Sequence, residues 1–288
     1  MLSIIISSYK NKLLEAIRVN IEKNIGIPYE IIVIENNAKM GICNAYNLGA
    51  EKAIFDLLCF VHEDVEFISN NWGVKIKQLF DDDNSIGLAG FAGSNYKSKF
   101  LTGWQTGNSN FDRINLHQKY TEKETIKLSI NPRNELYSEV VALDGLCMFT
   151  TKVNWLKNKF NESLTGFHFY DLDFTLNTID NGRKAVVMHN IDVIHFSLGR
   201  FNNDWLKEAF KYHKSEHLNK LLENLKLPVI SYESERDIKI FWFLILANQD
   251  ISLYNKLKLT IYYKLLNSKN FIFTTTLFLK LLKNKIDS

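Results

Sequence analysis

Residues 57–67 read LLCFVHEDVEF: five apolar residues, Leu57 to Val61, run directly into His62, Glu63 and Asp64. The apolar run has the length and composition of a buried strand. Ionisable groups at its end are costly unless solvated or partnered. In a parallel sheet, ligands gather at the carboxyl ends of the strands, which is where this polar cap falls. In an extended chain His62 and Asp64 point to one side and Glu63 to the other. An imidazole and a carboxylate on one side can share a divalent cation, and mixed nitrogen and oxygen ligands suit Mn2+ better than Ca2+, with Mg2+ also compatible. By itself, however, an H-E-D run is more commonly a solvated loop.

Working outward, strand-like and helix-like segments alternate. Ser3–Ser7 is β-rich, and Lys12–Lys23 carries a helical stripe of Leu13, Leu14, Ile17 and Ile21. Tyr29–Ile34 reads as a strand, 44–53 as a helix, 56–61 as a strand, 72–80 as a helix and 86–89 as a strand. That order predicts βαβ units in a mostly parallel, doubly wound α/β sheet. Residues 92–139 are polar, with Gly93, Gly103, Gly107 and Pro132, and read as a long functional loop or insertion. Strand signals return at 140–143 and 146–150, split by Asp144-Gly145. A helix follows over 170–181 and ends at Asn181-Gly182, and short strands follow at 185–187 and 193–195. From Asp204 onward the pattern is helical. The expected organisation is one α/β domain over 1–200 and a helical region over 201–288.

Composition narrows the function. With 46% hydrophobic and 23% charged residues the chain is ordinary globular material. Cys43, Cys59 and Cys147 are scattered, without a C-x-x-C pair, which suits a reducing compartment. The opening apolar stretch, Leu2–Ile6, is too short for a signal peptide and no run is long enough to span a bilayer, so a cytoplasmic location is expected. The net charge of +3 is uneven: residues 251–288 hold seven lysines against Asp287, +6, leaving −3 on residues 1–250. An acidic body argues against a nucleic-acid partner. The basic tail, with Phe271, Ile272, Phe273, Leu277, Phe278, Leu281 and Leu282, reads either as a helix on the inner face of a membrane or as a packing helix that closes the bundle or a dimer.

The first βα turn, Ser7-Ser8-Tyr9-Lys10, has no glycine, which excludes a dinucleotide loop and a P-loop there. A sugar nucleotidyltransferase would also be expected to carry a glycine-rich basic loop at this point. The second strand ends in Glu35-Asn36, able to hydrogen-bond a base or ribose and equally able to be turn chemistry. Asp171 and Asp173 open a helix, where acids favour the dipole; one held among aromatics would have a raised pKa and suit a general base. His195 ends an apolar strand, where a lone histidine is more often structural. Trp104, in the long loop, is either a stacking surface for a sugar or ordinary packing.

Taken in order, S-I-I-I-S-S-Y-K, I-V-I-E-N-N, G-I-C-N-A-Y-N-L-G and F-V-H-E-D-V resemble the inverting family 2 glycosyltransferases of the GT-A fold, in a subgroup with H-x-D in place of D-x-D. The likeness covers residues 1 to about 200. Ser7-Ser8-Tyr9-Lys10 is similar to that family's P-T-Y-N-like turn, and Gly41, Ala45 and Asn47 keep three positions of its G-x-x-x-A-R-N segment, with Tyr46 replacing the arginine. The resemblance implies donor contacts from Ser7, Ser8, Tyr9, Glu35, Asn36, Asn44, Asn47 and Glu63. It implies a metal site of Asp64, His62 and His195, a catalytic base at Asp171 with Tyr170 replacing the family's glutamate, and acceptor contacts from Trp104, Asp144, Gly145 and Asp173.

The implied activity is inverting, Mn2+- or Mg2+-dependent transfer of a sugar, as in polysaccharide biosynthesis. The donor is a nucleotide-diphosphate sugar, a UDP-sugar first, and the acceptor a hydroxyl of a glycan or lipid-linked molecule. The substitutions at Tyr46 and Tyr170 keep a non-catalytic nucleotide- or glycan-binding relative as the alternative.

Overall fold

The structure is a computed structural model that describes residues 1–36, 39–119, 124–196, 199, 201–225, 227–249 and 251–263. The apolar tail segment 271–282 lies outside them. In chain order the elements are β1 (Leu2–Ser8), α1 (Asn11–Asn24), β2 (Tyr29–Glu35), α2 (Ile42–Lys52), β3 (Leu57–Val61), β4 (Val65–Phe67), α3 (Trp72–Asp82), β5 (Ile86–Gly90) and β6 (Ala92–Ser94). There follow β7 (Asp112–Lys119), β8 (Thr125–Ile130), β9 (Tyr137–Val140), β10 (Ala142–Leu143), β11 (Cys147–Thr151), α4 (Lys152–Lys157), α5 (Tyr170–Asp180), β12 (Lys184–Met188) and β13 (Val193–His195). Four helices close the series: α6 (Asn203–His213), α7 (Glu216–Asn224), α8 (Tyr232–Ala247) and α9 (Leu253–Tyr262).

The main sheet has the order β2-β1-β3-β11-β5-β12-β9. Five strands run one way; β11 and β9 run against them. Strand periodicity sends alternate residues to opposite faces, and β1 shows the result. Ile4 and Ile6 join Leu14, Ile17 and Ile21 of α1 and Trp72 and Ile76 of α3 in one apolar layer. Ile5 faces the other layer, with Tyr46 of α2, Trp155 of α4 and Phe174 of α5. The sheet is therefore covered on both sides, as near-continuous apolar strands require. Helix α2 approaches β1 so closely at Gly49 that a Cβ there would lie 2.3 Å from Ile5.

The expected irregular loop over 92–139 holds the strands β6, β7 and β8 and most of β9, while 95–111 is irregular as expected. Strands β6 and β7, with β8 beside β7, belong to a second sheet ordered β10-β6-β7-β13-β4. The alternation of Ile114 with Leu116, and of Ile126 with Leu128 and Ile130, is the period-2 signal for β7 and β8. Polar partners between these residues hid it. Helices α6–α9 form a third apolar cluster with Tyr96, Leu101, Phe169, Leu172 and Leu176.

Topology positions the chemistry. Strands β1 and β3 pair in parallel through Ile5↔Phe60 and end side by side. Strand β11 runs antiparallel to β3, with Cys147 opposite Val61, so the Asp144-Gly145 turn lies beside His62, whose N–H donates to the Leu146 carbonyl at 3.0 Å. In the second sheet β13 pairs with β4 and sets His195 opposite Val65, next to Asp64. Two sheets thus deliver distant residues to one edge.

Candidate active site

His62, Asp64 and His195 each offer one ligand atom, and these atoms lie within 4.8 Å of one another. Asp64 Oδ1 is 4.0 Å from His62 Nδ1 and 3.8 Å from His195 Nε2. Both distances are too long for hydrogen bonds. They match the separation of two ligands on one ion, which at bond lengths of about 2.1 Å ranges from about 3 Å to about 4.2 Å. Asp64 Oδ1 is buried without a hydrogen-bond partner. An orphaned carboxylate oxygen facing two imidazole nitrogens is a mixed nitrogen and oxygen donor set, so these residues fit a divalent metal. Burial lowers the pKa of His62 to about 4 and also lowers that of His195. Both rings are thus neutral lone-pair donors at physiological pH.

The carboxylates facing this cluster behave differently. Asp171 begins α5; its Oδ2 accepts the Gly145 N–H at 3.1 Å and its Oδ1 the Leu172 N–H at 2.8 Å. Burial, reinforced by the nearby charge of Asp144, raises its pKa to about 7. Asp144 itself is raised to about 6, chiefly by burial, although it accepts hydrogen bonds from the Leu146 N–H and the Trp104 side chain. Trp104 and Asp144 therefore stand together, and Gly145 is enclosed: a Cβ on it would lie 2.1 Å from Tyr170 Oη and 3.0 Å from Asp171 Cβ. Only glycine fits there.

Helix α5 starts under strain. Phe169, just ahead of it, has φ 66°, a left-handed conformation costly for a residue with a Cβ. Its ring is stacked on Tyr212 at 5.2 Å and tilted against Trp205 at 5.3 Å. Helix α6 thereby holds the bend that turns Tyr170 and Asp171 toward the strand ends. Asp173 lies elsewhere: it is buried, accepts from His217 Nε2 at 2.8 Å, and is bonded by Asn177. It joins α5 to α7, so its expected acceptor contact is replaced by a structural one, because two residues along a helix is roughly half a turn.

Among the donor residues read from sequence, five (Ser7, Ser8, Asn36, Asn47 and Glu63) are engaged inside the protein. Glu63 accepts from Ser8 Oγ at 2.7 Å and the Lys10 N–H at 2.9 Å, with the Tyr9 N–H at 3.3 Å. His62–Asp64 form the turn between β3 and β4 rather than an extended strand, and Glu63 is directed to the first βα turn, which it shapes. Asn36 bonds Ser7 Oγ and both backbone groups of Met40. Asn47 is filled by Phe160, Glu162 and Trp155 and holds α2 to the segment after α4. Exposed Glu35 and Tyr9 and half-buried Asn44, whose Oδ1 is without a partner, remain at the strand ends and the start of α2. A cleft of about 670 Å³ between α1 and β4 reaches Asp64 and Phe196, within the size range of small-molecule sites.

Glu63→Ala should destabilise the fold by about 3 kcal/mol, since it leaves buried donors unpaired and charge-assisted bonds are the strong ones. Glu63→Gln should cost about 1 kcal/mol. Denaturant midpoints check both; no change in either variant would mean that the carboxylate does not hold the turn.

Sequence reasoning missed two neighbours of His62. Tyr170 Oη is 2.6 Å from His62 Nε2, and the Phe167 ring, half exposed, lies 5.2 Å from the His62 ring. The aromatic run Phe167–Tyr170 was the available signal, but only topology shows which strand it faces.

The doubly wound α/β sheet, with His62, Asp64 and His195 gathered at its strand ends, matches the fold of GT-A glycosyltransferase structures. Residues 4–220 match a family described as "Glycosyltransferase like family", and the chain belongs to it. No curated protein matches. Among solved structures, GalNAc-T7 crystallised with UDP, GalNAc and Mn2+ is similar over 91% of this chain, with TM-score 0.52 and 12% identity. This chain spans 58% of that protein's length. A197 from STIV is similar over 68% of this chain and 85% of its own, at TM-score 0.40 and 16% identity. No helix of the described residues is long and apolar enough to cross a membrane.

Proposed function

We propose that the protein transfers a sugar, with inversion, from a nucleotide-diphosphate donor, a UDP-sugar first, to a hydroxyl of a glycan or lipid-linked acceptor. The observation that carries this reading is the orphaned Asp64 carboxylate between two neutral imidazoles, within one strand-end site that also holds Asp171. Family membership and the UDP- and Mn2+-bound state of GalNAc-T7 support it. Asp64, His62 and His195 would hold the cation, in the H-x-D arrangement. A bound divalent cation supplies charge neutralisation for the departing diphosphate. Two nitrogen donors favour Mn2+ over Mg2+.

The protein's own groups would do the rest. Tyr9, Glu35 and Asn44 border the donor side, and Trp104, Asp144 and Gly145 the acceptor side. Asp171, ionised, takes the proton of the acceptor hydroxyl as its oxygen bonds to the anomeric carbon. The bond from that carbon to the diphosphate oxygen breaks, and its electron pair leaves with the nucleoside diphosphate. The Gly145 and Leu172 N–H groups fix the carboxylate in place for this step.

UDP release from UDP-, GDP- and dTDP-sugars, with and without Mn2+, tests the reading. Release from a UDP-sugar is expected only with metal present. Metal-dependent nucleotide binding without turnover on any donor would favour the non-catalytic relative. No nucleotide binding at all would overturn the assignment.

A further inference from the structure

We infer that Tyr170 is a positioning residue that sets the tautomer of His62 and links the metal side of the site to the base side. The inference rests on the metal site proposed above. The phenol has one hydrogen. Its oxygen lies 2.9 Å from the Gly145 carbonyl and 2.6 Å from His62 Nε2. A carbonyl has no hydrogen to give, so the phenol donates to Gly145, and the short contact to His62 requires that Nε2 carry a hydrogen and donate to the phenol. The neutral ring then has an unprotonated Nδ1, which is the nitrogen facing Asp64. An outer-shell partner that fixes the other ring nitrogen is the usual way to orient a metal-bound histidine. Here the partner is a tyrosine.

The same glycine reaches the base. Gly145 accepts from Tyr170 through its carbonyl and donates to Asp171 through its N–H. The chain of contacts is therefore His62, Tyr170, Gly145, Asp171. Tyr170 is itself immobilised: it is 3% exposed and lies among the rings of Tyr46, Phe160 and Phe167. A side chain without a hydroxyl could fill that box. None could also return a hydrogen bond to both Gly145 and His62.

Tyr170→Phe keeps the ring and removes the relay. In metal-free, ¹⁵N-histidine-labelled protein, His62 is expected as the Nε2–H tautomer. In Tyr170→Phe it should shift to the other tautomer or a mixture, with circular dichroism unchanged and the melting temperature only modestly lowered, since the Gly145 carbonyl loses its donor. Mn2+ affinity, read by electron paramagnetic resonance of free Mn2+, should fall about 10- to 100-fold. An Nδ1–H tautomer in the native protein, or an unaltered tautomer and Mn2+ affinity in Tyr170→Phe, would overturn the inference. If the native protein bound no Mn2+, the metal reading would fail, and the tautomer comparison would still decide the role of Tyr170. A second variant, His62→Gln, keeps a bulky polar group but cannot present an imidazole nitrogen. It should lose Mn2+ affinity by a similar factor, and adding Tyr170→Phe to it should cost no more. Additive losses in the double variant would show that Tyr170 acts on something other than His62.

Discussion

Asp171→Asn should lower sugar transfer by about 10²- to 10⁴-fold, the range spanned by loss of a general base, while Mn2+-dependent UDP binding stays near its native value. The amide keeps the acceptor oxygen for one backbone N–H but cannot take a proton. With Asp171 as the base, the native protein should also show a defined acid limb. The pKa of Asp171 is raised to about 7 by burial and then by Asp144, and only the ionised form is a base. Activity should therefore rise with pH through about 7. Asp144→Asn removes the second cause and should move that limb to lower pH. Stability gives an independent check with the opposite sign. The folded pKa lies above the ordinary carboxylate value, so native stability falls as pH rises from about 4 to about 7 and is flat above it. Neutralising the residue should therefore raise the melting temperature at pH 8 and leave it little changed at pH 4. Near-native turnover by Asp171→Asn would remove the base assignment, and a uniform loss of UDP binding would show that the residue builds the donor site instead.

The parts of the fold that were legible in the sequence are those where local pattern and burial agree. Strands β1, β2 and β3 are short apolar runs, and α1 carries a clear stripe, because both are packed against a sheet covered on two faces. The second sheet was not legible. Strand β7 is buried on both faces, and its buried residues include Asp112, Arg113, Asn115 and Gln118, held by local loop groups for the first two and by the distant Ile191 and His195 carbonyls for the last two. A hydropathy pattern records polarity, not whether the partner exists, so a buried polar strand reads as a loop.

The site divides along the same line. His62 and Asp64 follow from their place at a strand end, whereas His195, by itself more often structural, entered only through the family resemblance; the structure brings the three together across two sheets. Glu63, expected as a donor contact, instead binds the first βα turn, a partner that no local pattern announces. Asn36 and Asn47 share the residue type of a donor contact, but an amide satisfies backbone groups equally well, and here both do. Asp173 sits near Asp171 in sequence and turns to the opposite side of α5. Spacing on a helix decides that, and the direction of the helix relative to the strand ends is not written in any local segment.

Asp64→Ala should abolish Mn2+-dependent UDP binding, with Mn2+ affinity lowered at least about 100-fold, the upper end of what losing a mere outer-shell partner costs. Asp64 is the only carboxylate among the three proposed ligands, so its removal would leave two imidazoles to hold a dication. The metal-free protein should respond in the other direction. Asp64 Oδ1 is buried with nothing to accept from, and an unsatisfied buried acceptor costs about 1–3 kcal/mol. Without metal, Asp64→Ala should therefore be at least as stable as the native chain. Saturating Mn2+ at 100 times its dissociation constant should stabilise the native protein by about 2.7 kcal/mol, reversing the order of the two melting temperatures. The crossing of these two curves separates a ligand from a structural carboxylate. A structural role predicts that Asp64→Ala is the less stable protein under both conditions. Native-like Mn2+ stabilisation of the variant would place the cation on other residues.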